Sequence, residues 1–178
     1  MKKLNIIAVL IIAMALFSCK TNETMVDNNT VGNLELNRYL GTWYEIARFP
    51  HSFERGLVGV TATYTMNENG TINVVNQGFK GSLDGEISRA EGKAKVPDPD
   101  NPARLRVSFF WIFYSDYLVM ELDKDYRWAV VGSSSPKYLW ILSRDPVMSD
   151  TVLNEIKSRI EKRGYNISNL QMVKQKSG

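Results

Sequence analysis

Few side chains in this sequence could carry out acid–base chemistry. Glu45 and Glu121 fall on strand faces that alternation predicts to point inward, and paired carboxylates can act as general acid and general base. Tyr64, on the same predicted inner surface, could assist such a reaction. Because buried charges need partners, pairing of each carboxylate with a basic or hydroxyl group is the stronger interpretation.

The other residue types supply no catalytic or cofactor-binding pattern. His51 is the only histidine and Cys19 the only cysteine, so the sequence offers neither a metal-ligand cluster nor an intramolecular disulfide. His51 follows Pro50 in a predicted loop, which favours a surface position. No glycine-rich phosphate loop joins a strand to a helix. We therefore predict no cofactor, no metal site and no enzymatic activity.

The charge balance argues against a nucleic-acid partner. The formal net charge is only +3, and Lys2 and Lys3 belong to the N-terminal targeting segment. The rest of the chain is close to neutral and has no basic stripe, whereas nucleic-acid binding depends on clustered lysines and arginines.

The N-terminal segment has the features of a secretion signal. Two lysines precede an apolar run over residues 4–17, which is shorter than the roughly 20 residues that span a bilayer. The following residues, Leu16-Phe17-Ser18-Cys19, resemble a bacterial lipobox. This resemblance implies that Cys19 is the lipidated first residue of the mature protein, and several acyl chains on one residue give stable anchoring. An ordinary cleaved signal with an incidental cysteine is the alternative.

Three regions follow from this pattern. Residues 1–18 are predicted to be a lipoprotein signal peptide, and residues 19–33, rich in Asn and Thr, a lipidated cysteine with a flexible tether. Residues 34–178 form one folded domain. Lys20 follows the cysteine where other lipoproteins retained in the inner membrane have Asp, and this resemblance favours the outer membrane.

The folded domain is predicted to be all-β. Eight short alternating segments have hairpin-length links and no helix between them, over residues 41–49, 58–66, 71–79, 87–96, 103–109, 117–123, 126–132 and 138–144. This pattern predicts an up-and-down antiparallel barrel, whose interior holds side chains or one small ligand. A helix from Ser149 or Asp150 to Gly164 is expected to cover apolar outer positions, and a last strand near residues 170–173 to pair beside the first.

Alternation assigns a set of inward-facing residues that could bind a ligand: Ala47, Tyr64, Asn76, Phe109, Tyr117, Val119, Trp128, Val130, Tyr138 and Trp140. Plain core packing is the alternative for each of them. Small residues at Ala62, Gly78, Gly92 and Ala94 favour a cavity over a filled core. The mixture of aromatic rings with an amide and tyrosine hydroxyls suits an amphiphile with a long tail.

Two local features leave alternatives open. The apolar run over residues 109–114 falls in a predicted loop, 110–116, at the open end of the barrel. It could be a lid, a membrane-contacting edge, a homodimer contact or a self-packed loop. In the sixth strand, an inward Glu121 is unusual, so Leu118, Met120 and Leu122 could point inward instead.

The first and last strands resemble the signature of the lipocalin family. Its Gly-x-Trp is matched by Gly41-Thr42-Trp43, and its closing arginine by Arg144. The match is closer still to bacterial outer-membrane lipocalins, in which segments like Arg-Tyr-Leu-Gly-Thr-Trp-Tyr-Glu-Ile-Ala-Arg-Phe recur. By strand count Trp43 and Arg144 share one end of the barrel, where a cation–π contact would close it.

The resemblance implies a lipid-anchored carrier in the cell envelope. We expect it to bind, store or transport a fatty acid, a lysophospholipid or another hydrophobic small molecule. The domain is expected at the bacterial outer membrane, held by the anchor on Cys19 and facing the periplasm. A lipocalin-fold isomerase or esterase using Glu45, Glu121 or Tyr64, and a structural envelope protein, are the alternatives.

Overall fold

The computed structural model describes residues 26–110 and 112–176. The predicted signal peptide and the lipidation of Cys19 lie outside these residues, as does Trp111. Within them, no helix combines the length and the apolar character needed to cross a membrane. The closed sheet, the C-terminal helix and two hydrophobic cores all belong to this part of the chain.

The described residues contain two α-helices and nine strands. These are α1 (Leu36–Tyr39), β1 (Gly41–Arg48), β2 (Leu57–Met66), β3 (Ile72–Lys80), β4 (Ile87–Lys95), β5 (Arg104–Phe110), β6 (Phe113–Leu122), β7 (Trp128–Gly132), β8 (Leu139–Ser143), α2 (Asp150–Lys162) and β9 (Gln171–Met172). Single 3-10 turns occur at Ser52–Glu54 and Ile167–Asn169.

The strands close into a barrel. Consecutive strands pair antiparallel from β2 to β8, and β1 pairs with β8 on one side and β2 on the other. Closure removes the two exposed edges that an open sheet would have. The predicted eight-stranded up-and-down barrel with an outer C-terminal helix is therefore confirmed. The short β9 pairs with the end of β1, as the sequence predicted.

Hydrophobic residues form one core inside the barrel and a second between the barrel and α2. The inner core includes Tyr39, Trp43, Tyr64, Ile72, Val74, Leu105, Val119, Ala129, Val131 and Leu142. The outer core includes Ile46, Leu118, Met120, Ile141, Leu153, Ile156 and Ile160. Strands under α2 are consequently apolar on both faces.

A β-bulge changes the facing of the end of β1. The register of β1 against β8 shifts between Glu45 and Ala47. Ala47 consequently packs in the outer core, and Arg48 turns toward Glu45 and is buried. The prediction that Ala47 faces the interior is wrong, because simple alternation does not count the extra residue that a bulge inserts.

Trp128 and Val130 of β7 also face outward, contrary to the prediction. Both belong to the outer core beneath α2, whereas Ala129 and Val131 belong to the inner core. Every residue of β7 is buried. Hydrophobicity therefore cannot identify the inner face of this strand, and a slip of one residue exchanges its two faces.

A second bulge decides the facing of β6. The register shifts between Val119 and Glu121, so Val119 stays in the inner core while Met120 joins the outer one. Glu121 lies outside the barrel, with Oε1 2.7 Å from Nε of Arg163. Its predicted inward position is wrong. The alternative facing is wrong for Leu118 and Met120, which both contact the outer core.

Residues 26–33 pack on the barrel, although the sequence predicted a flexible tether there. The backbone N–H of Val31 donates to the carbonyl of Val119 at 2.9 Å. The carboxylate of Asp27 lies 3.2 Å from Nη1 of Arg163. These contacts hold the segment against β6 and the end of α2.

Removing the N-cap of α2 should lower stability modestly. The hydroxyl of Ser149 accepts a hydrogen bond from the backbone N–H of Val152 at 3.4 Å. We expect Ser149→Ala to reduce the free energy of unfolding by about 1 kcal/mol, because a helix N-terminus leaves its first N–H groups without partners. Urea denaturation monitored by circular dichroism would measure this. Ser158→Ala, at an exposed position inside the same helix, is the control and should not destabilise.

Candidate ligand-binding site

The barrel encloses a cavity of about 750 Å³. Six of the residues that alternation assigned to a ligand site line it, namely Tyr64, Asn76, Phe109, Tyr117, Tyr138 and Trp140. Val119 is fully buried in the inner core and does not border the cavity. The side chains of Ala47, Trp128 and Val130 face outward from the barrel and belong to the outer core. The cavity therefore brings together the predicted residues of β2, β3, β5, β6 and β8.

Small side chains leave the space that the cavity occupies. Ala62, Gly78 and Ala90 form part of its wall. At Gly92 a Cβ atom would lie only 2.8 Å from the ring of Phe109, so the glycine permits this ring to pack against β4. Strand alternation found these positions most clearly on β2 and β4, whose opposite faces carry threonines and charged residues respectively.

Trp43 and Arg144 close the other end of the barrel. The guanidinium carbon of Arg144 lies 3.8 Å from the centroid of the Trp43 ring. Nη2 of Arg144 donates to the carbonyls of Tyr39 at 3.1 Å and Leu40 at 2.8 Å. A short helix leaves such carbonyls without partners, so the arginine also caps α1. The positions of Trp43 and Arg144 in the sequence did not predict this capping role.

Three tyrosine hydroxyls form a chain at the inner end of the cavity. The hydroxyl of Tyr117 lies 2.7 Å from that of Tyr39 and 2.9 Å from that of Tyr64. Burial raises the pKa of all three phenols, so they stay neutral and act as hydrogen-bonding groups. Three hydroxyl protons serve two hydroxyl–hydroxyl contacts, which leaves one proton available to another acceptor.

A cluster of charged side chains lies in the cavity wall, nearer the open end of the barrel than the tyrosines. The guanidinium of Arg48 donates through Nη1 to Glu45, and through Nη2 to the carbonyl of Glu54 at 2.8 Å. Both carboxyl groups border the cavity. Burial, and then the nearby carboxyl of Glu54, raise the pKa of Glu45 to about 8, although Arg48 acts in the opposite direction. Sequence reasoning identified Glu45 but neither Arg48 nor Glu54 as its neighbours.

His51 belongs to this cluster and is not a surface residue. Its side chain is only 4% exposed, and Nε2 lies 2.9 Å from Oε2 of Glu54. The same carboxylate oxygen accepts a hydrogen bond from the indole N–H of Trp140 at 3.2 Å. The predicted surface position is wrong because the 3-10 turn Ser52–Glu54 folds the loop against β8. The His-x-x-Glu spacing was the signal that could have revealed the pair.

Glu45 and Glu121 do not form a carboxylate pair, and each is paired with an arginine, as the stronger interpretation predicted. Glu45 faces the cavity, whereas Glu121 is on the outer surface against Arg159 and Arg163. The carboxyl group that adjoins Glu45 is Glu54 instead. In the described residues, no group of three or more metal-binding side chains converges on one point.

The mouth of the cavity is rich in exposed aromatic and aliphatic side chains. Phe110 and Phe113 pair at the end of the β5–β6 hairpin and are 74% and 69% exposed. The predicted loop over 110–116 is therefore mostly strand. Phe53 of the neighbouring turn is also exposed. A self-packed loop would bury these rings, so that interpretation of the apolar run is wrong.

Comparisons with known proteins agree with this architecture. A family model described as a lipocalin-like domain matches residues 34–175. The outer membrane lipoprotein Blc of Citrobacter freundii is 42% identical over 176 residues, which cover 98% of each chain. The lipoprotein of that name from Vibrio cholerae is 43% identical over 146 residues, covering 82% of this chain and 85% of its own. Insecticyanin of the tobacco hornworm Manduca sexta shares the fold, with a TM-score of 0.66 at 17% identity over 84% of this chain and 85% of its own. The chain belongs to the lipocalin family.

Proposed function

We propose that this protein binds a single-chain amphiphile, such as a fatty acid or a lysophospholipid, inside its barrel. The observation that carries the proposal is the cavity of about 750 Å³, whose wall combines aromatic and aliphatic side chains with a few polar groups. Each methylene group moved from water into such a cavity contributes about 0.8 kcal/mol. An acyl chain of ordinary length therefore has enough apolar surface to bind tightly.

We also propose that the domain acts at the bacterial outer membrane and faces the periplasm. The two relatives described above are named outer membrane lipoproteins, and they support this location. The signal peptide predicted over residues 1–18 and the lipidation predicted at Cys19 are consistent with this location. Residues 20–25 would then connect the anchor on Cys19 to residues 26–33, which pack on the barrel. Such a tether keeps the cavity at a high local concentration near lipid.

Native mass spectrometry would test the proposed ligand class directly. The lipoprotein would be extracted from its own membrane and released from detergent in the spectrometer. We expect a mass increment that matches one single-chain lipid per barrel. The same experiment on a variant with a filled cavity, Ala90→Trp, should show less bound lipid, because Ala90 lines the cavity wall. Recovery of an empty barrel, or of a soluble polar metabolite, would contradict the proposal.

Two tryptophans on opposite sides of the barrel wall give a matched prediction. Trp140 borders the cavity, whereas Trp128 lies under α2 in the outer core. Trp140→Ala should weaken binding of a C12 to C16 amphiphile by about three- to tenfold, since a lost aromatic contact is worth about 0.5–1.5 kcal/mol. Trp128→Ala should lower the melting temperature and leave the dissociation constant unchanged. Isothermal titration calorimetry and thermal melts would measure both, and equal losses of affinity in the two variants would contradict this site.

A further inference from the structure

The charged cluster in the cavity wall lacks one positive charge. Glu45 and Glu54 can each carry one negative charge, and Arg48 supplies one positive charge among them. Both carboxyl side chains are over 90% buried, at 4% and 8% exposed. A buried net charge is costly, so the empty protein must hold one extra proton in this cluster. Glu45, whose pKa is raised by burial, is the group placed to carry it.

The arginine cannot readily turn to a ligand. Nη1 of Arg48 is engaged with Glu45, and Nη2 donates to the carbonyls of Glu54 at 2.8 Å and Leu57 at 3.1 Å. The guanidinium group is therefore held in place by β1, by the 3-10 turn Ser52–Glu54 and by the start of β2. The carboxyl groups, by contrast, border the cavity itself. A ligand in the cavity meets carboxyl oxygens at this point of the wall and no free cation.

A second acceptor lies on the same side of the cavity. Oδ1 of Asn76 is buried and has no hydrogen-bond partner in the described structure. Asn76 pairs in register with Ala62 of β2, and Ala62 pairs with Trp43 of β1. Asn76 is therefore two strands from Glu45 along one wall, and it also lines the cavity. This wall offers several acceptors to a group that carries several N–H or O–H donors.

We infer that the cavity contains an ammonium-binding subsite, formed chiefly by the carboxyl groups of Glu45 and Glu54. A single-chain amine would bind there in place of the proton that otherwise neutralises the cluster. This inference rests on the proposed lipid-binding function and names the polar end of its ligand. The exchange conserves charge, since one R–NH₃⁺ enters and one H⁺ leaves to solvent. A free carboxylate at the same position would instead meet an ionised glutamate, so among single-chain amphiphiles the subsite selects those with a cationic end over fatty acids.

The surrounding titratable groups do not supply the missing charge. Tyr64 of β2 faces the cluster as a neutral phenol, because burial raises its pKa. Trp140 of β8 and Tyr138, just before this strand, approach it as aromatic rings next to His51. At the mouth, Arg106 is partly exposed and lies 3.4 Å from Asp116, so these two charges offset each other. His51 lies beside Glu54, with Nε2 2.9 Å from Oε2, and completes the set of groups around the cluster.

Calorimetry with three ligands of equal chain length tests the subsite. The domain from Val26 onward, which contains the closed barrel and both cores, would be used for this titration. Dodecylamine, dodecanol and laurate would be titrated into it in two buffers that differ in ionisation enthalpy. We expect dodecylamine to bind most tightly and to release about one proton, while dodecanol releases none. Between pH 6 and pH 8 the affinity for the amine should rise by up to about tenfold per pH unit.

Amide substitutions separate the subsite from the rest of the cavity. In Glu45→Gln or Glu54→Gln the cluster is neutral without the extra proton. We therefore expect the affinity for dodecylamine to fall at least about tenfold and proton release to disappear. The affinity for dodecanol should be retained, which shows that each variant still folds and keeps its cavity. Glu68→Gln, in the exposed turn between β2 and β3, is the matched control and should behave as the wild type.

The possible results distinguish the inference from the function on which it rests. If the three ligands bind with equal affinity, or if the amine binds without releasing a proton, the ammonium subsite is refuted and lipid binding stands. The same holds if both amide variants bind the amine as the wild type does. If none of the three ligands binds, the proposed function fails together with the inference.

Discussion

Trp43→Ala is expected to lower the free energy of unfolding by about 3–5 kcal/mol. Trp43 is fully buried at the closed end of the barrel, and its indole N–H donates to the carbonyl of Tyr39 at 2.8 Å. Truncation would remove the ring under Arg144, leave a void beside Tyr39 in the inner core and abolish one buried hydrogen bond. Because a domain of this size is stable by only about 5–15 kcal/mol, the variant should be close to its unfolding limit.

Urea denaturation of four proteins would measure this effect and assign its cause. The wild type, Trp43→Ala, Arg144→Ala and the double variant form a cycle whose coupling energy reports the ring–guanidinium contact. We expect a coupling of about 0.5–2 kcal/mol, the range for a cation–π pair. Arg144→Ala alone should cost additional stability, since it frees the carbonyls at the end of α1. Purely additive effects would show that the two side chains stabilise the barrel independently.

Stability should fall as pH rises from about 5 to about 8, and Glu45 should be the main reason. The pKa of Glu45 is raised from 4.5 to about 8 in the folded protein. Between these values the folded state holds a proton that the unfolded state has released. The stabilisation from this group is thus complete below pH 4.5 and is lost as the pH rises through the folded pKa. One such proton changes stability by at most about 1.4 kcal/mol per pH unit.

Glu45→Gln removes the titrating carboxyl group and should flatten this pH profile. We expect the variant to be more stable relative to wild type at pH 8 than at pH 5, by an amount on the order of a few kcal/mol. Urea midpoints at several pH values would provide the comparison. Glu68→Gln, at an exposed position, should keep the wild-type profile. A variant that follows the wild type across this range would show that another group binds the proton.

The fold was accessible from the sequence because local patterns and the closed topology agree. Alternation on β4 separated inner residues from outer ones most clearly, since Arg89, Glu91, Lys93 and Lys95 mark its outer face. Asn69-Gly70 marked a tight hairpin between β2 and β3, and φ of Gly70 is indeed positive, at 78°. Counting strands then placed Trp43 and Arg144 at one end, where the structure brings them together.

The facing of the strands beneath α2 depended on tertiary contacts. The sequence predicted that a helix covers this side of the barrel. Such a cover makes both strand faces apolar, however, and so removes the contrast that alternation needs. Trp128 and Val130 were misplaced for this reason, and Glu121 and Ala47 because bulges insert an extra residue. Bulges have no reliable signal in the apolar pattern of a single sequence.

The amino-acid sequence by itself determined the number of strands, their antiparallel order, the outer helix, the sealed end and the aromatic surface of a cavity. These depend on local periodicity and on residues whose types are unusual at their positions. Only the tertiary structure decided the chemistry of the polar cluster. It brings β1, the 3-10 turn Ser52–Glu54 and β8 together around the carboxyl group of Glu54. Burial then sets the protonation of Glu45, and burial is a property of the assembled barrel rather than of any segment.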